Sequence, residues 1–298
     1  MERFIIIEIG STNTKAYLYE NNEIKDLGLK TIEFKDNYKK EQKILEKDKE
    51  DLYEFIKSFN EKNIYVFGTS IFRNITDDEK EAWKKEFKEK TDIEFNIVTA
   101  DMENELTVYG VISKIDYTGR LAIMISGGGS TELSIIENKK IIEKCNSNFG
   151  TNDVTYMYPE LKEDFVATDY ESMLEKTKQL ANIPKNKADL LVLAGGDFIY
   201  LYEELSYPLE KNKFYKSPIQ PYCLDTNTMD KFDKIFFYNT SLKEINKRTN
   251  KSGWWKGARG MRLCVKSMVD FLESKYIIPT RISMVYGIAE KIINKENI

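Results

Sequence analysis

The chain has 298 residues, of which 41% are hydrophobic and 32% charged, a balance typical of a soluble globular protein with room for two ordinary domains. Lys and Arg number 45 against 49 Asp and Glu, and this near balance gives no argument for a nucleic-acid or membrane partner. The sequence contains no histidine, which excludes a Ser-His-Asp triad, a histidine-ligated zinc site and a phosphohistidine mechanism.

The cysteines and the N-terminal segment favour the cytoplasm. Cys145, Cys223 and Cys264 are far apart and form no CxxC pair, so we expect inert thiols in a reducing compartment. The apolar run at residues 4–7 is followed by glycine and hydroxyl residues rather than by a signal-peptide cleavage site. No stretch approaches the roughly 20 apolar residues of a membrane span. We therefore expect a cytoplasmic protein without a membrane partner.

The first predicted elements form a β-hairpin pattern that the chain uses twice. Residues 4–19 and 121–136 each contain a β-branched apolar run, a turn of Gly, Ser and Thr residues, and a second apolar run. A third strand is predicted after each hairpin, at residues 23–33 and 140–145. Such self-similarity predicts two halves with the same architecture.

A buried strand and a helix complete each repeat. Residues 64–67 and 190–193 are apolar runs that end at glycine, and each leads into a helical pattern. We therefore predict an α/β protein with domains at residues 1–118 and 119–298, mixed sheets, and a ligand cleft between the domains. The second half adds predicted helices at 226–237, 241–247 and 257–274, a strand at 282–285, and a last helix at 287–294 that we allow to pack back on the first domain.

Glycine-rich turns lie at equivalent places in the two repeats. Gly127-Gly128-Gly129-Ser130-Thr131 lets the backbone approach a ligand closely and leaves N–H groups for an anion. Gly10-Ser11-Thr12-Asn13 offers hydroxyl, amide and backbone donors. Turns favour these residues for conformational reasons alone, but two such turns at equivalent positions favour phosphate binding.

Two predicted helix starts in the first half carry charged residues. Gly68-Thr69-Ser70 precedes a helix with Arg73, whose guanidinium can clamp phosphate oxygens, although a solvated arginine fits the same pattern. Asp101, Glu103 and Glu105 open a later helix, where the helix dipole favours acidic residues in any case. From these residues alone, an anion site and an ordinary helix start both remain open.

The order and spacing of these motifs resemble the exopolyphosphatase/guanosine-pentaphosphate phosphatase (Ppx/GppA) family of the actin-like superfamily. The triple-glycine signature is intact from Gly127 to Leu133 and is the most specific of the shared motifs. The resemblance covers nearly the whole chain and its short, two-domain form. The other shared segments are Glu8-Ile9-Gly10-Ser11-Thr12-Asn13, Thr69-Ser70-Ile71-Phe72-Arg73, Glu103-Asn104 before Gly110-Val111, and Tyr286-Gly287.

The resemblance implies two actin-like (ribonuclease H-like) domains and a Mg2+-assisted phosphohydrolase. The implied substrate is inorganic polyphosphate or guanosine pentaphosphate, with no specific nucleic acid as partner and with a homodimer left open. By resemblance, Glu103 is the general base that orients water, Arg73 neutralises the phosphate, and Glu8 is a metal ligand. The implied phosphate-binding residues are Gly10, Ser11, Thr12, Asn13, Thr69, Ser70, Gly127, Gly128, Gly129, Ser130 and Thr131.

Departures from the family pattern keep two alternatives open. Ile125 stands where the family has an aspartate, and Asn152 and Ala289 stand where it has arginines. The first alternative is therefore a family member that binds polyphosphate or a nucleotide without turnover. The second is an ATP-using member of the wider superfamily, because residues 8–15 also resemble the first loop of dehydratase-activating ATPases.

Overall fold

A computed structural model of the protein describes residues 2–10, 13–69, 71–249 and 251–298. The chain forms two compact units, which we call unit 1 (Met1–Gly110 with Met284–Ile298) and unit 2 (Val111–Ser283). The division falls inside a helix. The boundary predicted between residues 118 and 119 lies in the loop that follows this helix, and it stays a prediction.

Unit 1 is built on a five-stranded mixed sheet. Its strands are β1 (Arg3–Ile9), β2 (Asn13–Glu20), β3 (Glu23–Thr31), β4 (Ile64–Gly68) and β5 (Phe95–Ile97). The helices between them are α1 (Phe34–Glu41), α2 (Glu46–Lys57), α3 (Ile71–Asn74), α4 (Asp77–Thr91) and α5 (Ala100–Ser113). The strand order is β3-β2-β1-β4-β5, with β1, β4 and β5 parallel and β2 and β3 antiparallel to their neighbours. The central strand β1 is a run of buried isoleucines, as expected for a strand that helices cover on both faces.

Unit 2 repeats this sheet and extends it. Its strands are β6 (Leu121–Ser126), β7 (Thr131–Glu137), β8 (Lys140–Lys144), β9 (Leu190–Leu193), β10 (Glu210–Lys211), β11 (Tyr222–Asp225) and β12 (Tyr276–Pro279). Its helices are α6 (Thr151–Met157), a 3-10 turn at Pro159–Lys162, α7 (Tyr170–Lys178), α8 (Asp197–Glu204), α9 (Thr226–Tyr238), α10 (Leu242–Thr249) and α11 (Ser252–Leu272).

The strand order in unit 2 is β10-β11-β12-β9-β6-β7-β8. Within it, β8-β7-β6-β9-β12 has the same order and the same strand directions as β3-β2-β1-β4-β5. The internal repeat and the α/β class with mixed sheets, both predicted from the sequence, are therefore confirmed.

The predicted strand at residues 282–285 is wrong. The strand is β12, a few residues earlier, where Ile277 and Ile278 are completely buried. It ends at Pro279, which has no N–H to continue the strand ladder. Residues 284–285 already belong to the last helix, α12 (Met284–Ile293), which packs in unit 1 with Phe4 and Ile6 of β1.

Two completely buried arginines on α11 organise unit 2. Arg262 forms a two-pronged ion pair with Asp233 at 2.8 and 3.1 Å, and its third nitrogen donates to the Tyr202 hydroxyl at 2.6 Å. Arg259 forms no such ion pair with a carboxylate of the described residues. It donates instead to the backbone carbonyls of Glu163, Asp164, Phe236 and Thr240, at 2.7 to 3.2 Å.

None of the helices within the described ranges combines the length and the apolar character needed to cross a membrane.

Candidate functional site

Two carboxylates of unit 1, those of Glu8 and Glu103, interact electrostatically near the carboxyl end of β1. Glu8 is half-buried and faces Lys15 across the β1–β2 register. Burial raises the pKa of Glu8 above its ordinary value; Lys15 and a hydrogen bond from Tyr17 oppose the shift, and the nearby carboxylate of Glu103 adds to it. Glu8 and Glu103 are thus close enough for their charges to interact, which makes the pair a suitable environment for a cation.

Arg73 and Glu103 form an ion pair in the same unit. Arg73 lies on α3, just after β4, and its Nη2 donates to the carboxylate of Glu103 in the first turn of α5. Its Nε donates to the carbonyl oxygen of Val98 at 2.7 Å. The side chains of Arg73 and Glu103 are 23% and 37% exposed, so a ligand can reach both. Because β1, β4 and β5 are parallel neighbours, their carboxyl ends bring Glu8, Arg73 and Glu103 to one edge of the sheet.

The first glycine turn is closed by a hydrogen bond from the Gly10 N–H to the Asn13 carbonyl at 2.9 Å. Asn13 is exposed, and its Oδ1 accepts from the Thr31 hydroxyl at 3.2 Å. Thr69 is buried and uses its hydroxyl to donate to the Ile9 carbonyl at 3.2 Å, which fastens β4 to β1. The predicted site residues Ser11, Thr12 and Ser70 lie outside the described residues.

The glycine loop of unit 2, Gly127-Gly128-Gly129, is exposed and held from behind by α6. The N–H groups of Thr151 and Asn152 donate to the carbonyls of Gly127 and Gly128 at 3.0 and 2.7 Å. With these carbonyls occupied, the N–H groups of Gly128 and Gly129 find no acceptor among the described residues. Free N–H groups of consecutive glycines form a concave binding surface for an anion.

Two further residues fix this arrangement. Thr131 is buried, and its hydroxyl donates to the Phe149 carbonyl at 2.9 Å, so its side chain anchors the loop. Gly150 sits so close to the loop that a Cβ there would overlap the Gly127 carbonyl oxygen. Our sequence reasoning did not assign Thr151 or Asn152 to the site. The sequence signal for Asn152 was its place where the family has an arginine, and the signal for Thr151 was a glycine directly before a helix start.

Glu8 and Glu103 suit a magnesium ion that is bound partly by the protein and partly by a phosphate ligand. Across the described ranges, no three Asp, Glu, Cys or His side chains cluster as metal ligands would. Mg2+ is commonly bound by one or two protein carboxylates and completes its shell with water and substrate phosphate oxygens. Glu8 and Glu103 supply that number of carboxylates, so they suit an ion that binds together with a phosphate ligand.

Comparison with known proteins shows the family. A sequence profile of the Ppx/GppA phosphatase family matches residues 9–196, which is more than half of the chain. The chain therefore belongs to the Ppx/GppA phosphatase family, and the resemblance inferred from the motifs is confirmed.

One curated relative is the bifunctional 3-dehydroquinate synthase/phosphatase of Fusobacterium nucleatum subsp. nucleatum. It is 29% identical over 265 residues, which are 82% of this chain and 36% of that protein. The chain thus spans about a third of the length of this relative.

Solved structures agree on the fold. The type II variant of the Aquifex aeolicus Ppx/GppA phosphatase has a TM-score of 0.76 at 16% identity, with 97% of this chain and 98% of that chain covered. An exopolyphosphatase from Cytophaga hutchinsonii has a TM-score of 0.73 at 15% identity, with 99% of both chains covered. These matches confirm the actin-like fold class that the sequence predicts.

Proposed function

We propose that the protein is a phosphohydrolase that releases the terminal phosphate of inorganic polyphosphate or guanosine pentaphosphate, with Glu103 as the general base. The observation that carries the proposal is the ion pair of Glu103 with Arg73 beside Glu8. The carboxylate of Glu103, the guanidinium of Arg73 and the carboxylate of Glu8 thus lie at one edge of the unit 1 sheet. Positioning and charge neutralisation are the two things that phosphoryl transfer needs from a protein.

The ion pair suggests how substrate binding prepares the base. A guanidinium forms stronger, two-pronged hydrogen bonds with a phosphate than with a single carboxylate oxygen. A bound terminal phosphate therefore draws Arg73 away from Glu103, and the freed carboxylate can accept a proton from water. Arg73 keeps its anchor on the Val98 carbonyl throughout, which limits how far its guanidinium must move.

In the proposed reaction, a water oxygen attacks the terminal phosphorus in line with the bridging P–O bond. The water proton goes to the Glu103 carboxylate, and the bridging bond breaks with its electron pair on the leaving oxygen. The products are inorganic phosphate and a chain shorter by one phosphate. A magnesium ion held by Glu8 would neutralise charge on the phosphate oxygens.

The test is phosphate release from both substrates with Mg2+, comparing the wild type with Glu103→Gln. General-base catalysis contributes about 100-fold or more, so kcat is expected to fall by at least that factor. Glu105→Gln is the matched control, because it makes the same change two residues further along the same helix. Unchanged kcat in Glu103→Gln would refute Glu103 as the base.

A second candidate is a protein that binds the same ligands without turnover. The Arg73–Glu103 ion pair favours this alternative, because the guanidinium already neutralises the carboxylate that would have to act as the base. Heat of binding for tripolyphosphate, with no phosphate release in Mg2+ or Mn2+, would support this alternative against hydrolysis.

A further inference from the structure

The Tyr17 hydroxyl donates a hydrogen bond to Glu8, the carboxylate proposed above as a magnesium ligand. In the β1–β2 hairpin, Ile6 lies opposite Tyr17 and Glu8 lies opposite Lys15. Opposite residues share a face of the sheet, and so do alternate residues along a strand. Tyr17 and Glu8 are therefore diagonal neighbours on one face, at a separation that an aromatic side chain can span.

The ring of Tyr17 is held in place independently of Glu8. Tyr17 is half-buried and packs against the apolar cluster that the unit 1 sheet forms with α12, which includes Phe4 and Ile6. Because this packing fixes the ring, the hydroxyl at its end has a defined position. A hydrogen bond to this hydroxyl therefore restricts the orientation of the Glu8 carboxylate.

A second carboxylate near Tyr17 has another donor. Asp26 lies opposite Tyr17 on β3, and its charge acts on the phenol. Asp26 is exposed, and its Oδ1 accepts from the Gly28 N–H at 2.7 Å. The side-chain hydrogen bond of Tyr17 goes to Glu8. The hydroxyl is thus joined to the carboxylate that interacts with Glu103.

A fixed carboxylate binds a metal ion better than a mobile one. A long glutamate side chain loses rotamer freedom when it becomes a ligand, and a donor that already holds one carboxylate oxygen reduces this loss. Loss of such a donor typically weakens metal binding by about 10- to 100-fold. Lys15 also acts on Glu8 across the hairpin, but it is a cation and repels a metal ion. The neutral phenol orients the carboxylate without that repulsion.

We propose that Tyr17 is a positioning residue for the metal site, whose hydroxyl holds the Glu8 carboxylate in the orientation that binds Mg2+. The inference rests on the proposed function in one respect, which is the assignment of Glu8 as a magnesium ligand. It does not depend on phosphate release, because metal binding can be measured without turnover.

The experiment measures metal affinity in Tyr17→Phe, which removes the hydroxyl and keeps the ring. Mn2+ takes the same oxygen ligands as Mg2+. It is titrated into the full chain with inorganic phosphate present, and the free ion is measured by electron paramagnetic resonance. We expect the Kd for Mn2+ to rise about 10-fold. In a turnover assay, the half-saturating Mg2+ concentration should rise by about the same factor, with kcat at saturating Mg2+ little changed.

Tyr19→Phe is the matched control. Tyr19 lies on the same strand and the same face, two residues further from Glu8, and its hydroxyl donates to Asn22 Oδ1 at 2.8 Å. Both variants lose one phenol hydrogen bond, so urea unfolding should show a similar loss of stability in each. Only Tyr17→Phe should bind Mn2+ more weakly. An equal Kd in the wild type and Tyr17→Phe, or the same rise in both variants, would overturn the proposal.

Glu8→Gln separates this inference from the proposed function. If Glu8→Gln binds Mn2+ weakly and Tyr17→Phe binds it normally, Glu8 is a ligand and the inference alone fails. If Glu8→Gln binds Mn2+ as tightly as the wild type, both the proposed metal ligand and the inference are refuted. Weaker binding by Tyr17→Phe alone among the two tyrosine variants, with no phosphate release from either substrate, supports the inference and refutes the hydrolase.

Discussion

Gly287→Ala is expected to destabilise unit 1 and to slow catalysis together. A Cβ on Gly287 would overlap the carbonyl oxygen of Leu106, which lies one turn after Glu103 on α5. Helix propensity alone favours alanine over glycine by about 1 kcal/mol. Overpacking a buried contact costs about 1–3 kcal/mol, and here the obstacle is backbone, so α12 and α5 must move apart. Since the backbone obstacle puts the cost at the upper end of this range, we expect a net loss of up to about 2 kcal/mol and a melting temperature lower by several degrees.

Urea unfolding and kcat measured on the same preparation test this prediction. Gly253→Ala on α11 is the control, since no atom lies within 4 Å of its Cβ position. Propensity predicts that this control gains up to about 1 kcal/mol. A Gly287→Ala variant as stable as the wild type would refute the close packing of α12 on α5, and normal kcat with lowered stability would refute the link to Glu103.

Three further results are expected. Arg259→Met leaves one buried and three partly buried carbonyls without their donor and should cost about 3–5 kcal/mol in urea unfolding; a cost below about 1 kcal/mol would contradict this. Glu8→Gln should stabilise the protein at neutral pH. The pKa of Glu8 is higher in the folded state than in the unfolded state, so the wild type loses stability as the pH rises from the ordinary carboxyl pKa through the folded-state pKa. The difference should vanish below about pH 4, and a difference that does not depend on pH would contradict the cause. Of the thiols, only half-buried Cys145 should react with a labelling reagent at pH 8 in the native protein, because Cys223 is buried and burial raises the pKa of Cys264 to about 12; labelling of Cys264 before unfolding would contradict its placement.

The sequence allowed the fold to be predicted because the signals are local. Each hairpin shows its apolar runs and its turn within about 16 contiguous residues, and the repetition of the pattern after residue 120 carries the two-unit architecture. The last strand was predicted at the wrong residues because two apolar runs lie close together. Residues 276–279 and 282–285 both suit a strand. Only the pairing of the first run with β9 and β11, a long-range contact, decides between them.

Those residues of the candidate site that belong to one short motif could be predicted from the sequence. Arg73 and Glu103 were identified separately, but their ion pair joins residues 30 positions apart and has no sequence signal. Asn152 was noted only as a departure from a family arginine, and its approach to the glycine loop depends on Gly150, which lets α6 come close. The anchoring of Thr69 and Thr131 by backbone carbonyls likewise depends on contacts between distant segments.

The most direct test of the account is phosphate release in water enriched in oxygen-18, with polyphosphate or guanosine pentaphosphate and Mg2+. Attack of water on the terminal phosphorus puts the label into the released phosphate, and Glu103→Gln should slow this release by about 100-fold or more. Label in the shortened chain instead, or no release from either substrate, would contradict hydrolysis at the terminal phosphate.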